Sequence, residues 1–343
     1  MSHTQPLKLV GAYGSPYSRK LRAVLRYRRI PFRWIRRGAP EDVGIPEVPV
    51  ALIPVLVFPG EAGAPDEAMI DSTPQIHRLE TLYRDRAVVP PDPALAYLDG
   101  LIEDYGDEWL TKAMFHYRWS YAPDIEKAAR VLPLERQIGL RGESFEQAAR
   151  AFADRQIGRL GVVGSNETTK PVIEESYVRL LHLLDTHLPQ APFLMGGRPG
   201  AGDFGLMGQL SQLALFDPTS VALTEREAPR VIAWLNQLED LAWLEPSDDD
   251  WLSRDAAADL LRPFVSEIGR VYAPFLLANA AALESGAAQV ECEIAGRKWT
   301  QAPFGYQAKC LQWQREGRSA LDPADRAFVD DVVSGTGCEA LFA

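Results

Sequence analysis

Ser15 stands where a serine hydroxyl can do chemistry. Ahead of it Leu7, Leu9, Val10 and Ala12 make a short apolar run that reads as a buried strand. Gly11 and Gly14 loosen the backbone, and Ser15-Pro16 ends the strand. From Tyr17 the apolar period changes, with Leu21, Val24 and Leu25 at i, i+3 and i+4 along a helical stripe. Ser15 therefore lies at a strand-to-helix junction, beside unpaired N–H groups and the positive end of a helix dipole, which together favour an anion. A hydroxyl there can donate a hydrogen bond to a bound thiolate. The plainer role is a helix cap, and the stretch taken alone favours the cap.

Other groups invite the same question. Asp104, Asp107 and Glu108 lie at i, i+3 and i+4 and could act as paired acids, but a solvated or partner-facing cluster is the expectation. Trp109, Phe115, His116, Tyr117 and Trp119 concentrate aromatic rings on what reads as the first long helix after the linker. His182 and His187 are five apart, so they share no helix face and define no metal site. Cys292, Cys310 and Cys338 are few, odd in number and widely spaced, which indicates neither a disulfide framework nor a cysteine-rich metal site.

The elements that must position these residues follow from the whole chain. Its 343 residues exceed the roughly 250–300 that one core organises, so two domains or a domain with a large extension are expected. A formal net charge of −11 argues against wholesale nucleic-acid binding. No apolar run is long enough to span a membrane, and MSHTQPLK lacks the basic-then-apolar pattern of a signal peptide, so a soluble cytoplasmic protein is expected. The arginines from Arg19 to Arg37 form a basic run, read for the most part as a solvated or ion-paired face.

After the first helix, Phe32 to Ile35 reads as a second strand and Ala51 to Phe58 as a third, with Pro54 inside it. A proline there belongs at a strand start, an edge or a bulge, and its peptide bond is a candidate for the cis form. Ala68 to Ile70 returns antiparallel, and Asp71-Ser72-Thr73-Pro74 opens a second helix. The proline-rich stretch Arg86 to Pro93 is an extended linker. From Ala94 to about Leu244 the pattern is helical, including a capping-box spacing at Ser144 and Gln147 and an all-round apolar helix from Phe204 to Phe216. Beyond it lie a long helix from Asp255 to about Leu283, a hairpin from Val290 to Thr300 and one or two short helices. Too rich in aromatic residues to be disordered, this tail is expected to pack on the helical domain. Crossing the mouth of the cleft beside Ser15 would make it a lid.

With these pieces in order, the chain resembles the cytosolic glutathione transferases. GAYGSPYSRKLRAVL resembles the first strand and helix of the serine-type, plant-like classes; IPVL resembles the cis-proline element; DSTPQI resembles the γ-glutamyl element; FLMGGRPGAGDFGLMGQL resembles the buried-helix capping motif. The resemblance implies α/β plus all-α architecture: a thioredoxin-like glutathione-binding domain over 1–85, a linker over 86–93, an all-helical domain over 94–244 and an extension over 245–343. It implies Ser15 as thiol activator, with Tyr13 as runner-up, and glutathione as co-substrate bound by Ser15, Ile53, Pro54, Asp71 and Ser72. It places Tyr17, Trp109 and His116 in a pocket for a small electrophile, requires no metal and implies a homodimer. The sequence departs from the family pattern at Leu52, often basic in the plant-type enzymes; at Asp71, where the acid is shorter; and at Gly200, usually Ser or Thr. These departures keep open a non-catalytic binding or scaffold protein with the same fold.

Overall fold

A computed structural model describes residues 5–60 and 64–343; residues 1–4, where the N-terminal reading begins, and residues 61–63 lie outside the described residues. The first layer is β1 (Leu7–Gly11), α1 (Pro16–Tyr27), β2 (Phe32–Arg36), β3 (Val55–Phe58), β4 (Glu67–Ile70) and α2 (Ser72–Leu82). The strand order is β2-β1-β3-β4, with β1 parallel to β2 and antiparallel to β3, and β3 antiparallel to β4. This is a thioredoxin-like sheet. Strand alternation sorts its side chains: Leu7, Leu9, Leu56 and Phe58 enter the main core, while Val10, Ile35, Val55 and Val57 face the other way. β3 is shorter than the apolar run predicts. Proline has no N–H for the ladder, so pairing starts only after the cis Ile53–Pro54 bond.

The second layer is helical: α3 (Pro93–Glu108), α4 (Leu110–Ser120), α5 (Ala122–Arg136), α6 (Gly142–Ile157), α7 (Lys170–His187), α8 (Ala201–Leu213), α9 (Pro218–Glu227) and α10 (Pro229–Leu238). The stripe expected to form one helix through Trp109 is two, α3 and α4, broken where Lys112 N–H donates to the Trp109 carbonyl in a three-residue turn. The capping box expected at Ser144 is absent. α6 starts at Gly142, so Ser144 lies inside it, and its hydroxyl donates to the Arg141 carbonyl.

Buried from end to end, α8 organises this layer. A side chain at Gly106 of α3 would strike the Gly205 backbone of α8, and one at Gly208 would come within 2.9 Å of the Pro16 carbonyl of α1. These glycines let α8 lie against α3 on one side and against the start of α1 on the other. The cap of α8 explains Gly200: Asp99 of α3 accepts from the N–H groups of Ala201 and Gly202 at 2.8 and 3.0 Å, and a Cβ at Gly200 would fall 2.4 Å from its carboxylate. Asp203 accepts from the Gly200 and Leu194 N–H groups at 2.8 and 2.9 Å. A carboxylate from another helix thus stands in for the hydroxyl that a cap residue would carry.

The remaining elements are α11 (Arg254–Ser285), β5 (Val290–Ile294), β6 (Arg297–Gln301), α12 (Gly305–Ala320) and α13 (Pro323–Val333). Helices α11, α12 and α13 lie on α3, and β5 lies on α11. Trp299 of β6 is fully buried, with ring centroids 5.2 Å from Trp109 and 6.0 Å from Phe275. Lys112, also buried, sits 4.0 Å from the Phe275 ring centre and donates to Gln301 Oε1 and the Val163 carbonyl. Trp299→Ala is expected to cost about 3–5 kcal/mol through the cavity it leaves, read as a lower thermal midpoint. An unchanged midpoint would show that the hairpin adds nothing to the fold.

Candidate functional site

The start of α1 is held from several directions. Ser15 has extended backbone, and its Oγ accepts from the Ser18 N–H at 3.3 Å, so it does cap the helix. Its own O–H proton stays available to a ligand, because a hydroxyl accepts and donates at once. Ser18 is fully buried and turns inward, its hydroxyl accepting from the Ala12 N–H. Both ends of Gly14 are tied to the helical layer: its N–H donates to Glu135 Oε2 of α5 at 2.8 Å, and its carbonyl accepts from Arg118 of α4 at 3.2 Å. Arg118 is itself fixed by Asp217 and Gln212.

The strand ends bring the other predicted residues to the same end of the sheet. Pairing of Val55 with Ile70 sets Pro54 opposite Asp71, and the β1–β3 register sets both beside the end of β1. Gln75 of α2 donates to the Pro54 and Met69 carbonyls at 3.2 and 2.6 Å, securing the turn. Asp71 caps α2 with φ of 76°, a left-handed conformation that costs a non-glycine residue energy and is held here by its surroundings. One carboxylate oxygen accepts from the Thr73 N–H and the other from the Tyr306 hydroxyl of α12 at 2.7 Å. Ser72 is buried at the first turn of α2.

A cavity of about 360 Å³ opens beside Ser15. It is lined by Ser15, Tyr17, Leu52 and Ile53 together with Phe115 and Trp119 of α4, Leu132 of α5 and Phe152 of α6. Tyr17 lines it, its hydroxyl donating to the Asp107 carbonyl at 2.9 Å. Trp109 and His116 do not. The Trp109 ring is buried against Phe275 and Trp299, and its N–H donates to Ser176 at 3.1 Å. Buried His116 is bound by Ser165 and Glu174. The α3–α4 break sets the phase of α4, which turns Phe115 and Trp119 to the cavity instead. Tyr13 also lies outside it, its ring against Trp34 and under the Arg22 guanidinium. No residue beyond Val163 lines the cavity, so the tail is not a lid over it; α5 and α6 contribute lining residues instead. Sequence periodicity carried no signal for this, because which helices converge is a tertiary matter.

The acidic cluster is neither solvated nor partner-facing. Lys20 of α1, fully buried, donates to Glu103 Oε1 at 2.6 Å and to Asp107 Oδ2 at 2.5 Å. Burial alone would lower the Lys20 pKa, but the two carboxylates outweigh it and hold the pKa raised. On the opposite side of α3, Asp104 accepts from Tyr272 at 3.0 Å and from Gln314 at 3.2 Å, and Glu108 accepts from Gln307 at 3.1 Å. Burial, reinforced by Asp104 and Asp107, pushes Glu108 up to about 8; burial pushes Asp104 to about 6 against its hydrogen bonds. Both are protonated more readily in the native state than in the unfolded chain. Their contribution is therefore complete below the ordinary carboxylate range and is lost as pH rises toward 8. Lys112, lowered by burial to about 7, acts in a higher window, where stability is regained as pH climbs from 7 toward the ordinary lysine value. The thermal midpoint is expected to fall between pH 5 and pH 8, and Glu108→Gln to flatten that fall. A profile of unchanged slope in the variant would show that Glu108 does not titrate in this window.

Residues 9–87 match the family model described as Glutathione S-transferase, N-terminal domain. No curated protein matches the chain. Among solved structures, a Tau class glutathione S-transferase from mango (Mangifera indica) is 19% identical over 75% of this chain and 96% of its own, with a TM-score of 0.40. Rice GST1, in complex with glutathione, is 18% identical over 76% and 96%, at 0.41. A glutathione S-transferase from Methylobacterium radiotolerans, in complex with glutathione sulfonate, is 18% identical over 71% and 99%, at 0.37. The match identifies residues 9–87 as a glutathione S-transferase N-terminal domain.

Proposed function

We propose that the chain activates the thiol of glutathione for attack on a small, largely apolar electrophile. The observation that carries this reading is the placement of Ser15, at the N-terminus of α1 and on the wall of the cavity. A free thiol has a pKa near ~8.5, so little of it is thiolate at neutral pH. The Ser15 O–H and the helix N-terminus both favour the anion, and each unit by which they lower the pKa is worth about 1.4 kcal/mol. Glutathione supplies the sulfur nucleophile; the chain orients it and keeps its charge stable. The Ile53 backbone, left unpaired ahead of β3, suits the cysteine portion, and Asp71 with Ser72 at the start of α2 suits the γ-glutamyl end. Leu52 adds apolar surface and no charge.

The tie between Tyr306 and Asp71 favours a second reading, a binding protein of the same fold without turnover, since part of the γ-glutamyl element is already engaged. Calorimetry decides between them: saturable binding is expected at or below millimolar glutathione, and its absence would promote the second reading.

Ser15→Ala removes both the cap and the donor, whereas Ser15→Gly largely keeps the helix cap. Both variants are expected to lower kcat by about tenfold or more with a smaller change in KM, the mark of an interaction with the reactive anion. A bound-thiol titration that stays put in both would exclude Ser15 as the activator. A two-fold homodimer accompanies this reading, on a surface other than the face of α3 that α11–α13 cover. Light scattering is expected to give about twice the 38.0 kDa of one chain, and the single-chain mass would count against it.

A further inference from the structure

The cavity beside Ser15 carries a charge of its own. Arg118, Arg136, Arg155 and Arg159 line it, and Glu135 is the one acid among its lining residues. Glu135 is committed to the Gly14 N–H, and Arg118 to Asp217. The other three arginines are exposed, and none has an ion-pair partner among the described residues. The contrast with the basic run that follows Ser15 is clear, with Arg33 its exception among the described residues. The chain's net charge is −11, and in the basic run of α1 and β2, Arg19, Arg22, Arg26, Arg28, Arg29, Arg36 and Arg37 each meet a carboxylate. Arg136 and Arg155 lie in the last turns of α5 and α6, where a cation also suits the helix dipole. That does not account for Arg159, which lies past the end of α6, nor for the convergence of all three on one cavity. The same lining carries Met114, Phe115, Trp119, Leu132 and Phe152 as apolar surface, with Thr111 and Gln156 as its neutral polar groups beside Ser15 and Tyr17.

We propose that this cavity takes an organic anion: an apolar body carrying a carboxylate or sulfonate, whose charged end meets Arg136, Arg155 and Arg159 and whose body lies along the aromatic wall toward Ser15. Guanidinium groups suit planar oxyanions through paired N–H donors. As a statement about substrate, this rests on the thiol-activating reading above. The thiolate sulfur then bonds to the electrophilic carbon, that carbon's bond to its leaving group breaks, the leaving group departs with the electron pair, and the thiol proton passes to solvent.

Two measurements separate the anion site from the thiol reading. The first needs no glutathione. It compares fluorescence titrations with 8-anilinonaphthalene-1-sulfonate and with N-phenyl-1-naphthylamine, which has the same rings without the sulfonate. The wild-type chain is expected to favour the sulfonate by about tenfold or more, a preference that falls with added salt. Arg136→Gln/Arg155→Gln/Arg159→Gln is expected to abolish the preference while the neutral probe still binds, which shows the cavity intact. Arg130→Gln, an exposed arginine of α5 outside the lining, is expected to leave it unchanged. Equal affinity for the two probes, binding of neither, or a preference that survives the triple variant would overturn the proposal. The second measurement uses glutathione with 4-chloro-3-nitrobenzoate and with the neutral 1-chloro-2,4-dinitrobenzene, both of which lose chloride to a thiolate. The ratio of their kcat/KM values is expected to fall about tenfold in the triple variant, and an unchanged ratio would count against the arginines. Turnover of neither compound alongside an intact probe preference would remove the thiol reading and leave the anion site standing.

Discussion

The Lys20 ammonium, buried between Glu103 and Asp107, is the interaction on which the rest of the molecule depends. A buried ammonium is expensive to desolvate, and removing a partner from such a pair is costly because the remaining charge is left unpaired. The attraction therefore works as a geometric constraint: α1 cannot rotate or slide on α3 without exposing a charge to an apolar interior. Because Ser15 caps α1, its position relative to the helical layer is set by the same contact. Thr73 of α2 donates to Glu103 at 3.0 Å, which ties the start of the second helix to the same carboxylate. Two helix N-termini are thus referred to a single turn of α3.

Helix α3 serves the molecule on both sides. Toward the sheet it presents Glu103 and Asp107, and toward the C-terminal elements Asp104 and Glu108. The C-terminal elements supply neutral hydroxyl and amide donors, from Tyr272, Gln307 and Gln314, and no cation. Neutral donors offset only part of the desolvation of these acids, which is why their pKa values stay raised. Through Tyr306 and Asp71 the same elements reach the start of α2, while α5 and α6 contribute lining residues to the cavity.

Parts of this arrangement were legible in the residues. The change from strand to helical period after Gly11, the proline at the head of β3 and the Asp-Ser-Thr-Pro start of α2 are local signals with local causes, and each marks an element that formed there. The basic run after Ser15 read as a solvated or ion-paired face, and its partners include Glu239 and Glu245, more than 200 positions away. The i, i+3, i+4 acids looked solvated because charge usually is, yet a lysine on α1 and amides on α12 enclose them. Trp109 and His116 were placed in a pocket by the resemblance, on what read as the first long helix after the linker. The turn at Trp109 shifts the phase of the following helix and offers Phe115 and Trp119 in their place.

By itself the sequence determined the sheet, its order of elements, the helix start at Ser15 and the helical character of the second layer. Each of these follows from side-chain periodicity, proline and cap chemistry within a few residues. Only the tertiary structure decided what surrounds them: that Asp99 caps α8 in place of a side chain at Gly200, that Arg118 and Glu135 clamp Gly14, and that three arginines from α5, α6 and the turn after it converge on one cavity. These contacts join residues 102 to 121 positions apart or bring separate helices to one point. They depend on helix phase and on close approach at glycines, which the spacing of apolar residues along a single helix does not encode.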